Sequence, residues 1–422
     1  MPDTPNAACH PQSIRDVVES GLCIGCGLCQ ALAPDRWRMT MTVEGRLRPA
    51  PLKPANPGAD AEILRACPGA FVEASAGGTK SDMVWGSYTH MAEAWAGDAD
   101  TRFRAATGGV LTALGAHLLR SGKAKFILHC AADPERPMRS KWMFSETPSQ
   151  VVARAGSRYG PSDTLSGLEA ALERQQPFGI IAKPCDATAV RARAKDDPRI
   201  DQHLVALLVM VCGGASDLGK SQALLDEYGL TEDELTVFRY RGFGNPGRTR
   251  LETKDGRAFE KTYQELWEDE SGWRIQTRCK LCPDAIGEAA DIAAADIWPG
   301  GTPTGEDAGL NGVIVRNDRG QALFDQAVAA GDLVPGKDHG PRDYDDFQPH
   351  QVAKKRSLAA RLRGLAAAGH PVYRHAGLRL DDLDAANKDQ EAGSEMRAGA
   401  GRFSEAMPEK TTVPDASDSA QE

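Results

Sequence analysis

The chain has 422 residues, 41% of them hydrophobic, enough to build cores in two to three domains of ordinary size, which excludes a mostly disordered protein. Much of its formal charge of −9 sits in residues 404–422, so the body lacks the basic field of a nucleic-acid-binding protein. The longest apolar run, residues 204–212, falls well short of the about 20 residues a membrane helix needs, and the opening stretch (MPDTPNAACHPQ) does not read as a secretory signal. The expected compartment is therefore the cytoplasm, where clustered cysteines mean metal or redox chemistry rather than disulfides.

The first strong pattern is CIGCGLC, with Cys23, Cys26 and Cys29 two residues apart, followed by a distant Cys67-Pro68. Three such thiolates wrap one corner of an iron–sulfur cube, and a Cys-Pro pair is the usual fourth ligand in bacterial ferredoxins. Gly25 and Gly27 let backbone amides approach the cluster sulfurs. Zinc prefers two separated Cys-x2-Cys pairs, a form the tight triplet does not take. Residues 1–75 are thus expected to form a ferredoxin-like 4Fe–4S module. Cys9 reads as an uninvolved thiol in a polar arm. The stretch EASAGGTKSD, 73–82, reads as a linker.

Residues 83–390 read as one α/β domain. Val110, Leu111, Leu114, Leu118 and Leu119 share a helical face, with Thr107 expected as its cap and Gly122 as its end. Apolar runs at 126–130, 178–185 and 204–212 predict buried strands, separated by helices near 164–176 and 187–195. Helices between continuous apolar strands indicate a mainly parallel or mixed sheet covered on both faces. Each of the three runs finishes at a cysteine, and loops at the carboxyl ends of such strands are where open α/β sheets bind ligands. From Phe238 the Gly-rich turns of FRYRGFGNPGRTRLETKDG predict a small antiparallel β insertion. Residues 391–422 read as a disordered tail.

A lone Cys279-x2-Cys282 is ambiguous between zinc, a redox pair and half of a cluster. Together with Cys185 and Cys212 it supplies four thiolates for a second 4Fe–4S site. Cys130 reads as a small buried hydrophobe, with a role in place of one of those ligands left open. Two glycine-bearing segments offer anion contacts: Thr107, Gly108 and Gly109 at a helix start, and Ser157, Arg158 and Tyr159 within GSRYGPSD. Alone, a capped helix and a solvated turn are the simpler readings of both. Neither is a Rossmann or Walker motif, so a nicotinamide-binding domain is not supported.

The strings CIGCGLC, ATGGVLTAL, AGSRYGPS, IIAKPCDATAVR, VCGGAS, FRYRGFGNPG and RCKLCPDAIGEAADIAAADIWPGG occur in this order. In combination they resemble the coenzyme F-420 hydrogenase/dehydrogenase beta-subunit family. RGFGNPGRTRLETKDG and the last string look like its branch containing 7-hydroxymethyl chlorophyll a reductase and the ferredoxin-dependent divinyl chlorophyllide 8-vinyl reductase. The resemblance implies FAD, two 4Fe–4S clusters on the eight cysteines named above, and reduced ferredoxin as donor. It also implies FAD contacts at Thr107, Gly108, Gly109, Ser157, Arg158, Tyr159 and Lys183. The expected function is a ferredoxin-dependent iron–sulfur flavoprotein reductase of a small conjugated substrate, such as the tetrapyrrole divinyl chlorophyllide. A deazaflavin F-420 oxidoreductase and a non-catalytic electron-transfer subunit of a larger complex are the alternatives, and a homo-oligomer is left open. The segment RYRG, 239–242, reads either as cavity lining or as a solvated hairpin face. No proton donor stands out; His129, Glu288 and Asp291 are the titratable groups in range, each with a simpler structural reading.

Overall fold

The three apolar runs become the strands Phe126–Ala132, Phe178–Ala182 and Leu204–Met210, joined by a fourth parallel neighbour, Ile292–Asp296, that the patterning does not single out. The computed structural model describes residues 9–75, 77–387 and 414; apart from Pro414, the tail expected over 391–422 lies outside the described residues. Antiparallel strands complete the sheet to eight. Ser140–Ser145 pairs with Phe126–Ala132 on one side. Asn311–Val315, His90–Ala96 and Leu333–Asp338 follow Ile292–Asp296 on the other. The sheet is therefore mixed, with the expected parallel set at its centre.

Side chains alternate between two cores. Phe126, Leu128, Leu207 and Val209 point into one, with Leu165, Leu168 and Val190. Ile127, Ala206 and Leu208 point into the other, under the helices Val110–Arg120 and Asp318–Ala329. A fully buried side chain of this size contributes about 1.5–3 kcal/mol. A slip of one residue would exchange the two cores, so the alternation fixes register.

Several boundaries differ from expectation for identifiable reasons. The helix expected to be capped by Thr107 starts at Val110, and its cap is Gly109 at φ 75°. The chain has to turn back there, because Gly108 rests against a neighbouring backbone: a Cβ on it would lie 2.8 Å from Leu310 Cα. The strand beginning at Phe178 stops at Ala182 because Pro184 opens the helix Pro184–Ala194, which puts Cys185 in a first helical turn. The strand from Leu204 stops at Met210, and the Cys212 amide then bonds to the Ala285 carbonyl at 2.8 Å. The supposed linker is partly ordered, since Lys80–Asp82 pairs with Gly86–Tyr88. Strands Leu235–Arg239, Thr249–Thr253 and Ala258–Lys261 form the small antiparallel insertion. No described helix is long and apolar enough to cross a membrane.

Residues 9–75 pack into the body. Ile24, Cys26 and Leu28 belong to the same core as Phe178 and Ile180. Strand Phe71–Glu73 pairs in parallel with Arg374–Ala376 near the far end of the chain. Helix Pro349–Ala367 is pinned by Lys355, whose ammonium donates to the Val84 carbonyl at 2.7 Å and pairs with the buried carboxylate of Glu288, itself also paired with Arg379. Removing one partner of a buried pair costs about 3–5 kcal/mol. Because Arg379 still faces Glu288, Lys355→Met should fall at the low end, about 3 kcal/mol, read as a lowered midpoint of urea unfolding.

Candidate functional site

The carboxyl ends of the four parallel strands open on a cavity of about 300 Å³, at the lower end of the size range of small-molecule sites. Cys130, Lys183, Cys212 and Asp296 reach it from these four strands or the residues just after them. The loop 154–160 and the turn beginning at Arg241 close two further sides.

Six of the seven expected cofactor contacts line this cavity: Thr107, Gly109, Ser157, Arg158, Tyr159 and Lys183. Gly108 does not; its amide and that of Val110 both donate to Asn311 Oδ1 at 3.1 Å. These two amides are thereby withdrawn from any anion at this helix start. Arg158 lines the cavity, but its guanidinium is taken up by the carbonyls of Phe238, Pro137, Met138 and Arg139. It shapes the wall rather than offering a free charge. Lys183 donates to the Ser162 carbonyl at 2.9 Å and pairs with Asp186 at 3.0 Å. Burial opposes its charge, yet Asp186 and the Cys185 thiol outweigh burial and hold it above the usual lysine range.

The cavity also holds a cluster that sequence patterning only touched. Arg241, from RYRG, is buried and pairs with Asp296 at 3.1 Å. It donates to the Thr107 hydroxyl, which in turn donates to Asp296. The Trp298 ring lies 4.8 Å from its guanidinium carbon. Burial opposes the Arg241 charge, but Asp296 and Tyr159 outweigh it and raise the group further. Burial pushes the Tyr159 hydroxyl up. The visible signal for Asp296 was its place at the end of an apolar strand, in ADIAAADIW; nothing local marked Asn311.

The eight cysteines fall into two groups. Cys23, Cys26, Cys29 and Cys67 line one small hollow. Gly25 sits at φ 71°, where a Cβ would lie 2.4 Å from the Leu47 carbonyl oxygen. Its amide points at Cys23 Sγ, 3.4 Å away. Cys185, Cys212, Cys279 and Cys282 line a second hollow, where the Ala215 amide donates to Cys279 Sγ at 3.2 Å. Burial pushes Cys67 and Cys212 up to about 12 and raises Cys26, Cys29, Cys185 and Cys279 as well. Four thiols around one hollow, with a backbone amide aimed at sulfur, form a donor set that fits a cationic iron–sulfur core. No described group of three or more His, Cys, Asp or Glu is spaced for a single metal ion. Cys130 faces the large cavity instead of either hollow, and Cys9 is exposed apart from both.

The three spaces share walls. Ile24 lines both cysteine hollows. Lys183, Cys212, Gly214 and Ala215 line both the second hollow and the large cavity. Arg278 ties the two quartets together. It lines the second hollow and donates to the carbonyl of Pro68, next to Cys67, at 2.8 Å, with Tyr373 under its guanidinium at 4.7 Å.

Of the three titratable candidates, only His129 reaches the cavity. Glu288 is locked in its ion pairs with Lys355 and Arg379. Asp291 lies at the opposite end of its strand from Asp296, accepting from the Leu207 amide at 2.8 Å and from Arg191 at 2.6 Å. Neither has access to the cavity. His129 Nε2 contacts Ser145 Oγ at 2.8 Å, and burial, aided by Arg154, lowers its pKa to about 4. The imidazole is therefore neutral at pH 7. Because the unfolded value is near 6.5, the unfolded state binds the extra proton, and stability is lost as pH falls from about 6.5 to about 4, by up to about 1.4 kcal/mol per pH unit. His129→Gln should remove that part of the slope, measured by urea unfolding across this range.

Two adjoining segments of the chain match the two halves of one family, the coenzyme F420 hydrogenase/dehydrogenase beta subunit. Its N-terminal part matches residues 91–169, and its C-terminal part matches residues 176–337. The coenzyme F420 hydrogenase subunit beta of Methanococcus voltae is 25% identical over 280 residues, 63% of this chain and 89% of that protein. The F420-dependent formate dehydrogenase subunit beta of Methanocaldococcus jannaschii is 25% identical over 228 residues, 54% of this chain and 56% of that protein. A chain of the F420-reducing NiFe hydrogenase complex from Methanosarcina barkeri, solved as a xenon derivative, shares the fold. Its TM-score is 0.55 at 18% identity, covering 70% of this chain and 99% of that one. The two family segments span residues 91–337 between them, which carry most of the large cavity's lining and the second cysteine quartet, and the chain belongs to the coenzyme F420 hydrogenase/dehydrogenase beta-subunit family.

Proposed function

We propose that this oxidoreductase chain passes electrons through two 4Fe–4S clusters, held by Cys23, Cys26, Cys29 and Cys67 and by Cys185, Cys212, Cys279 and Cys282, to FAD in the large cavity and on to a planar substrate. The observation that carries this reading is the shared walls. Adjacent spaces share lining residues, Ile24 at the first step and Lys183, Cys212, Gly214 and Ala215 at the second. When bound, such clusters carry single electrons and the flavin collects two. The chain's own contribution is positional. The Gly25 and Ala215 amides point at ligating sulfurs, Arg278 fixes the distance between the quartets, and Lys183 keeps a positive charge between the second quartet and the cavity.

For the substrate, the relatives favour a deazaflavin: their names describe beta subunits of F420 hydrogenase and F420-dependent formate dehydrogenase. Those names also favour work alongside a partner subunit. Reduction of a tetrapyrrole such as divinyl chlorophyllide, with reduced ferredoxin as donor, is the second reading. It rests on the strings RGFGNPGRTRLETKDG and RCKLCPDAIGEAADIAAADIWPGG alone and draws no support from the relatives.

Anaerobically purified protein should contain about eight iron and eight sulfide per chain, with one FAD. Cys279→Ser should lower iron to about four and leave the signal of the first cluster in place. About four iron in the unaltered protein would remove the second cluster from the proposal. Loss of deazaflavin absorbance on mixing with the reduced protein separates the first substrate reading from the second.

A further inference from the structure

Two of the four large hydrophobic side chains exposed among the described residues meet at one place. Phe103, 53% exposed, and Phe243, 43% exposed, touch edge to face with ring centroids 5.5 Å apart. Phe103 lies in the last turn of the helix Ala99–Arg104, and the turn 242–244 rests on that helix: the Gly244 amide donates to the Phe103 carbonyl at 3.0 Å. The guanidinium of Arg239 lies over the Phe243 ring at 4.0 Å. Among the described residues the Arg239 guanidinium has this ring contact but no hydrogen bond or ion pair, and its Nε is buried without a partner. The nearby charges are already committed. Arg104 pairs with Asp100, and Glu252 and Glu260 pair with Arg250.

This patch adjoins the large cavity. Ala105 and Ala106, just after Arg104, line it, as do Arg241 and Gly156. A Cβ on Gly156 would lie 3.7 Å from Arg239 Cδ. Exposed phenyl rings offer a face to a flat π system, and an uncommitted guanidinium beside them offers charge-assisted hydrogen bonds to a carboxylate or phosphate. We propose that Phe103, Phe243 and Arg239 form a rim that recognises the substrate of the cavity as a planar conjugated anion, the two rings, inclined 75° to each other, meeting it one by its face and the other by its edge, with Arg239 on its acidic group. This rests on reading the cavity as a redox site. It narrows the substrate to a chemistry that deazaflavins and tetrapyrrole acids share.

The test is equilibrium binding by fluorescence quenching, with full-length, cofactor-loaded protein. The probes are coenzyme F420, its chromophore without phosphate, chlorophyllide a and chlorophyllide a methyl ester. One of the two anions should bind, and which one binds identifies the source. Arg239→Gln should weaken that anion about 10-fold or more and leave its counterpart without the phosphate or free carboxylate unchanged. Arg239→Lys should restore part of the loss, and Phe243→Ala should weaken both forms of the ring. Equal anion affinity in Arg239→Gln and unaltered protein would overturn the proposal, as would binding of neither anion. Iron and flavin contents measured on the same samples separate the two questions. Protein that lacks them but still shows the Arg239 effect refutes the redox reading and keeps the rim.

Discussion

Parallel alignment of four neighbouring strands is the constraint on which the site depends. Strands that run the same way present all their carboxyl ends at one edge, so the residues that follow each strand emerge together however far apart they lie in the chain. Cys130, Lys183 with Cys185, Cys212, and Asp296 are brought to that edge this way. The alternation of Ile127, Ala206 and Leu208 against Phe126, Leu207 and Val209 holds register against a slip. A one-residue shift of Leu204–Met210 would carry Cys212 away from Cys185, and the second quartet would not assemble.

The first quartet comes to the second by packing rather than by strand order. Ile24 and Leu28 are buried in the core of the sheet, Phe71–Glu73 pairs with Arg374–Ala376, and Arg278 bonds across to Pro68. These contacts hold the two cysteine groups at a fixed separation. Burial raises Cys67 in the first group and Cys212 in the second, so their ionised forms need a compensating cation. Arg278 and Lys183 lie beside the second hollow and place positive charge where ligated sulfur would be negative.

Both quartets were legible in the sequence because cysteine is scarce and chemically specific, and spacing such as CIGCGLC is hard to produce by chance. The parallel centre of the sheet was legible from uninterrupted apolar runs, which only a doubly covered strand accommodates. The antiparallel flanks were not: HMAEAWA and SKWMFS lack continuous apolar character, and their places depend on partners more than 200 residues away or across a turn. The polar cluster was legible only in part. Arg241 stood in a charged hairpin that read equally well as solvated, and its pairing with Asp296 spans 55 positions. Arg158 looked like an anion contact in sequence, yet its donors are used by carbonyls that only the tertiary fold brings near. Glu288 and Asp291, for which the structural reading was already the simpler one, are buried ion-pair anchors that do not line the large cavity.

The most direct test of the proposed path from one hollow to the next is the rate at which a one-electron donor such as reduced ferredoxin bleaches the flavin that the proposal places in the cavity, followed by stopped-flow absorbance in unaltered protein and in Cys282→Ser. Electron passage through the second quartet predicts rapid bleaching in the unaltered protein. In the variant it predicts bleaching slowed by orders of magnitude, while the first cluster still becomes reduced, as seen by freeze-quench EPR. Equally fast bleaching in both proteins would contradict it.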